Sequence, residues 1–539
     1  DYPGRKILRY GRYELTFQVT NTVAGNLQLP FDPSPPTGID LSNPKHNGIS
    51  VDALFLPPGG MDWDQAFSQP GFYYTFYEDQ IKQAIPYKNE NWEWYYPTGQ
   101  FAWKVRFSPN TIGTWQYKIK VRDANGLTES PVGSFTVISS GHKGFVRVSQ
   151  ADSRYFEFEN GEQFTGLGLN TGGRTDNPIL GNEPDYELFS KNGIQLMRVW
   201  IGGKFGSAWM FYLGGRNQYN GYIPRPGLLP FHDTKRNRYS LVQRLDYEKE
   251  GDVGWFDACR FQFWNDMEAV KQNTNYRLRI KYWGQNITGP RKVSQSEYGF
   301  VGKMGGWVSN CYEPGTGTVI TNYGENTNDW RYVEGTWNSG SNNFIDRIHF
   351  ALENVTMGHA YVESVSVRED LGNGRFGPEI LAEPSLEYQL YVPDLNAYAL
   401  DKLVGLGEQY GVYFKFAIME KEDNIYTKMD DDGSFVWGGE SDNMDGFYGL
   451  GRTVNKTRWL QQAKWRYMQA RWGYSPNIHS WELCNEGDPA KLEHYELADE
   501  LGKYMHARVF GVSVGEGDGQ RAAFDHPNDH LVTTSFWHS

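Results

Sequence analysis

Residues 478–488 read Ile478-His-Ser-Trp-Glu-Leu-Cys-Asn-Glu-Gly-Asp488. The run Ile478–Cys484 predicts a short strand, and the pair Asn485-Glu486 stands where it ends. Four other runs have the same character. Phe164–Asn170 (FTGLGLN), Ile194–Gly202 (IQLMRVWIG) and Val412–Glu420 (VYFKFAIME) precede it, and His530–Trp537 (HLVTTSFW) follows. Ile194–Gly202, nearly continuous in apolar residues, suits a strand buried on both faces. Helical patterns separate them at Tyr186–Asn192, Leu395–Tyr410, Asn455–Trp472 and Glu493–Phe510. In the second of these, Leu403, Leu406 and Tyr410 fall at i, i+3 and i+7. Strand and helix in alternation predict a parallel sheet. It is either a (β/α)8 TIM-type barrel, with about five strands in this chain, or a doubly wound sheet. No G-x-G-x-x-G follows the first strand, which weakens a dinucleotide-binding reading.

Outside these runs the period is two. Residues 1–142 carry alternating segments such as Tyr13–Thr20, Phe101–Phe107 and Trp115–Val121, with turns at Pro109–Gly113 and Asp123–Gly126. This spacing predicts an N-terminal β-sandwich. Residues 143–202 hold a linker and the first two barrel strands. Residues 203–390 interrupt the barrel after strand two. They comprise a long loop rich in Gly, Pro and aromatics and a second sandwich, core 239–370, with strands at Tyr276–Trp283, Trp330–Trp337, Asp346–Leu352 and Ala360–Val367. Residues 391–539 carry strands three to five. The expected architecture is therefore multidomain.

Composition bounds the function. The 539 residues include 19 Trp, 35 Tyr and 31 Phe, too many rings for a disordered chain. Such rings fill cores, and they also make flat platforms on which sugars stack through their C–H faces. The net charge of -13 and the lack of basic stripes argue against nucleic-acid binding. No apolar run approaches the ~18 residues of a membrane span. Cys259, Cys311 and Cys484 form no C-x-x-C pair. Cys259 and Cys311 fall in one region, bonded or not. A chain opening at Asp1 reads as a processed product, which favours an extracellular or periplasmic location.

Catalytic groups of barrels sit at the C-terminal ends of strands. Cleaving a glycosidic bond takes two carboxyl groups, one to protonate the leaving oxygen and one to attack carbon or activate water. Glu486 suits the acid role, with the Asn485 amide beside it to grip a sugar hydroxyl. A surface Asn-Glu at a strand-to-loop turn is the plainer alternative. Glu482, Cys484 and Glu486 share one face of the fourth strand, since side chains alternate. Glu482 lies deeper and reads as the partner of a buried cation.

In their order, Phe164–Asn170, Leu196–Trp200 (LMRVW) and Trp481–Asp488 (WELCNEGD) resemble clan A glycoside hydrolases, most closely the cellulase-like family 5 barrels. The resemblance implies Glu486 as general acid/base and Asn485 as a sugar ligand. It implies Arg198 near the end of strand two as support for the nucleophile; a salt bridge of the barrel core is the alternative. Trp200, Trp209, Trp537, His538 and Glu420 are candidate substrate-binding residues, the aromatics being otherwise core. Residues 1–142 resemble the immunoglobulin-like domain found before such barrels. The insert resembles family 4-like carbohydrate-binding jelly rolls, which implies Trp283 and Trp307 as platforms. Such modules often hold a structural calcium, with Glu363 as a candidate ligand. No catalytic cofactor is expected, and the expected partner is a polysaccharide or oligosaccharide.

One part is missing. In the clan the nucleophile is a Glu ending strand seven, and only five strands are read here. The nucleophile is expected beyond Ser539 or on a second chain that completes the barrel. A non-catalytic carbohydrate-binding or structural protein on a hydrolase-derived scaffold is the alternative.

Overall fold

The computed structural model describes residues 6–36, 39, 41–83, 91–170, 177–201, 228–236, 238–247, 258–262, 268–305, 319–345, 347–381, 392, 394–419, 456–513 and 526–536. A five-stranded sheet positions the Asn485-Glu486 turn. Its strands are β1 (Gly168–Asn170), β2 (Leu196–Trp200), β3 (Tyr413–Ala417), β4 (Ile478–Glu482) and β5 (Leu531–Thr533). They are hydrogen-bonded in chain order, and every pair is parallel. The order never reverses, as it does at the switch point of a doubly wound sheet. Among the described residues the sheet is open, with β1 and β5 at its edges.

Among the described residues four helices accompany it: α1 (Glu183–Lys191), α2 (Asp394–Tyr410), α3 (Lys456–Trp472) and α4 (Leu492–His506). Tyr186 of α1, Leu400 and Leu403 of α2, Leu460 and Met468 of α3 and Leu497 of α4 share one core with Met197, Val199, Phe414 and Phe416 of the sheet. The charged residues of β2, β3 and β4, Arg198, Lys415 and Glu482, meet one another instead.

Two segments differ from the sequence reading. Phe164 does not belong to β1. Gln163–Phe164 pairs with Phe156–Phe158, which pairs with Val146–Val148, in a small antiparallel sheet. Phe158 and Phe164 pack on Tyr413, the first residue of β3, so this sheet plugs the N-terminal edge of the parallel one. The second difference is β1 itself, whose Leu169 is exposed because it lies at an edge.

The N-terminal unit is a sandwich of two mostly antiparallel sheets. One holds Ser50–Leu56, Gly113–Asp123 and Gly133–Ile138, the other Tyr13–Phe17, Phe72–Gln83 and Asn91–Phe107. Their inward positions, such as Val51, Phe55, Trp115, Tyr13 and Val105, form one core. The inserted unit is also built of packed sheets. Its larger sheet adds Leu228–Asp233 and Phe376–Glu379 on either side of the expected 239–370 core. Among the described residues no helix is long and apolar enough to cross a membrane.

Candidate functional site

The site is built at the end of β4. Arg198 and Lys415 are cross-strand neighbours on β2 and β3. Two cations side by side repel unless an anion serves both. Glu482, the last residue of β4, is that anion. Arg198 Nη2 and Nε donate to its two carboxylate oxygens at 2.6 and 2.9 Å, and Lys415 Nζ lies 3.3 Å away. Glu482 is fully buried. Burial alone would raise its pKa, but the Arg198 hydrogen bonds and the charges of Lys415 and Arg198 outweigh burial and hold it below the usual carboxylate range. It is therefore an ionised structural anion. Removing one partner of such a buried pair leaves an uncompensated charge, at about 3–5 kcal/mol.

Arg198 reaches further along the same edge. Nη2 also donates to Asn485 Oδ1 at 2.9 Å, and Nη1 reaches Asn170 Oδ1 of β1 at 3.4 Å. Accepting through Oδ1 turns the Asn485 Nδ2 donors away from Arg198. The strand alternation does not run through to Glu486, as the sequence reading had it. The strand ends at Glu482. Cys484 then packs in the apolar core with the helices, and Asn485 takes the place beside Arg198.

Glu486 itself is half-buried and has φ 52. This left-handed backbone costs a non-glycine residue about 1–2 kcal/mol and persists only where neighbours over-determine it. The neighbours are visible. The Asn485 N–H donates to the Met419 carbonyl after β3 at 3.3 Å. The Glu486 N–H donates to Ser535 Oγ at 3.1 Å and the Gly487 N–H to the Ser535 carbonyl at 2.9 Å, both after β5. Gly487 also lies against the His494 ring of α4, where a Cβ would come within 1.9 Å of Cε1. His494 Nε2 is 2.8 Å from Thr534 Oγ1. Burial lowers the His494 pKa, with Asp488 pulling the other way. The turn is thus clamped from the third strand, the fifth strand and the fourth helix.

Of the other sequence candidates, Trp200 ends β2 on the Arg198 face, and the guanidinium lies 5.5 Å from its ring centroid. Trp209, Glu420, Trp307, Trp537 and His538 lie outside the described residues, as does Cys311. Trp283 is 8% exposed and packs with Trp330, Phe231 and Tyr361. It is a member of an aromatic cluster, not an open platform. Glu363 is buried and ion-paired with Lys281. Among the described residues no group of three or more His, Cys, Asp or Glu could hold a metal ion. Sequence reasoning missed Lys415 and Ser535. Lys415 had a signal: a lone charge in an apolar strand needs a buried partner. Ser535 had none, because its role comes from the neighbouring turn.

No family model matches the chain, and no curated protein matches it in sequence. Solved structures give low TM-scores. A provisionally assigned glycoside hydrolase from Bacteroides vulgatus aligns over 98% of this chain and 55% of its own, with 12% identity and a TM-score of 0.38. The chain thus spans about half the length of that protein. The CBM22-1–GH10 modules of an endo-1,4-β-D-xylanase from Clostridium thermocellum, complexed with xylohexaose, align over 51% of this chain and 56% of theirs, with 9% identity and a TM-score of 0.19. A carbohydrate-binding module of the β-sandwich superfamily aligns over 63% and 96%, with 11% identity and a TM-score of 0.17. At these scores the likeness bears no weight, and the functional reading rests on the site.

Proposed function

We propose that this protein is a retaining glycoside hydrolase acting on a polysaccharide or oligosaccharide, with Glu486 as general acid/base. The observation that carries the reading is the Glu486 turn. A carboxylate stands at the C-terminal edge of a parallel sheet in a strained, triply clamped backbone, next to an amide oriented by a half-buried arginine. Strain of this kind clusters at functional sites. In the proposed reaction Glu486 gives its proton to the leaving oxygen and then takes one from the water that releases the sugar. Asn485 offers its amide donors to a hydroxyl next to the bond. Arg198 holds Asn485 and keeps Glu482 ionised, so Glu482 is a support and not the attacking group. The nucleophile is a carboxylate outside the described residues, about 5–5.5 Å from Glu486. The sheet would then be an arc of a (β/α)8 barrel. Its chain-order parallel strands, sharing one core with all four helices, support that part of the reading.

The test is Glu486→Gln in the full chain, assayed for reducing-end release on a panel of soluble polysaccharides. Loss of general acid/base help should lower kcat/KM roughly 10²–10⁴-fold with folding unchanged. Unchanged hydrolysis by this variant defeats the proposal.

A further inference from the structure

After β5 the chain passes beside the Glu486 turn, and the hydroxyl of Ser535 lies at the junction. Ser535 Oγ accepts from the Glu486 N–H at 3.1 Å, faces Arg198 Nη2 at 3.4 Å and donates to the Cys484 carbonyl at 3.2 Å. A hydroxyl has one proton and two lone pairs, so these partners fill its capacity. Ser535 is thus bonded at once to the backbone on both sides of Asn485 and to the buried ion pair beneath it.

We infer that Ser535 is a positioning residue for Glu486. The Arg198–Glu482 pair is held in place because the fully buried Glu482 carboxylate needs the Arg198 cation and its two hydrogen bonds. Ser535 transmits that rigidity to the Glu486 backbone, whose φ of 52 would otherwise relax. The carboxyl group then stays aimed at one point, where the leaving oxygen would be. The inference rests on the glycosidase reading. It adds a residue that follows the fifth strand to a site otherwise assigned to the ends of the second and fourth.

A merely structural serine and a positioning serine differ in one measurable way. A general acid matters when the leaving group is poor and hardly at all when it is good. Misplacing that acid therefore damages the two substrate types unequally, whereas loss of folded protein damages them equally. The experiment measures kcat/KM of the full chain on a polysaccharide and on a 2,4-dinitrophenyl glycoside of the same sugar. For Ser535→Ala the expected loss is roughly 10–100-fold on the polysaccharide, against less than about 3-fold on the activated glycoside, which has little need of an acid. Ser535→Thr, which keeps the oxygen, should recover most of the loss. Equal losses on both substrates, or none, overturn the inference. Glu486→Gln, run in parallel, separates the two claims. If it shows the leaving-group-dependent loss and Ser535→Ala does not, the Ser535 inference fails alone. If Glu486→Gln is unchanged, or the native protein cleaves nothing in the panel, the glycosidase reading fails and takes the inference with it.

Discussion

At the residue scale the Glu486 turn depends on what its neighbours lack as well as on what they offer. Gly487 is the clearest case, because the His494 ring fills the space a side chain would need. Gly487→Ala must push that ring away, and overpacking of this kind costs about 1–3 kcal/mol. His494→Ala removes the obstacle along with the Thr534 contact. The double variant should therefore be more stable than the sum of the single costs implies, since residues in contact are not additive. Denaturant midpoints of the four proteins measure the coupling. Strict additivity would show that the close approach is not what demands glycine. The sequence displays the Gly after Glu486 but not the ring that makes it necessary.

Elements are joined by buried charge. Asp401 of α2 receives Arg106 from the Asn91–Phe107 strand of the N-terminal sandwich at 2.8 Å, and Arg471 of α3 at 2.7 Å. Arg106 also bonds Glu14 of the facing strand at 2.7 Å. One carboxylate thus ties two helices to the sandwich through two guanidiniums. Asp401→Asn leaves Arg471 without its anion and Arg106 with Glu14 alone, and the expected loss is about 3–5 kcal/mol. The sandwich should become the first part released by limited proteolysis. Proteolysis that cuts the variant and the native chain alike would show that the joint is held by its apolar contacts. The same hairpin, Phe72–Gln83 with Asn91–Phe107, places Trp94 and Tyr96 in the core of the inserted unit. Trp94 Nε1 donates to the carbonyls of Val270 and Asn343, both at 3.1 Å. Alternation in these segments reads as strands. Nothing in a period of two says that the outer half of a hairpin belongs to another unit's core.

For the whole molecule, the buried ionisable groups set the response to acid. Burial would raise the Glu14 pKa, but Arg106 and Lys104 pull it down to about 2, and Arg106 and Arg471 likewise hold Asp401 low against burial. Both bind protons less readily folded than unfolded. Their stabilisation is whole above the unfolded carboxylate range of about 4 and is lost as pH falls below it. His479, lowered to about 4 by burial and by the Lys415 charge, adds a loss between its unfolded pKa near 6.5 and that value. Asp394, raised to about 6 by burial, works the other way, because its folded form keeps the proton longer. Burial also lowers His530 to about 3 and holds His526 low. Between pH 7 and pH 4 three histidines thus act against the raised Asp394 and Glu379, and the first calorimetric transition should move to lower temperature over that range. A rise over that range would contradict the balance. By itself the sequence determined the local grammar: alternating runs against apolar ones, helical periods, and the Asn485-Glu486 pair at a strand's end. These follow from side-chain periodicity and turn chemistry, which act over a few neighbours. Only the tertiary structure decided that Phe164 joins the plug beneath the sheet, that Asn485 and not Cys484 meets Arg198, that Lys415 shares Glu482 with Arg198, and that Ser535 and His494 hold the turn. Those choices depend on which strands and helices lie side by side, and the cost of burying a charge or a side chain is set by partners on other elements of the fold.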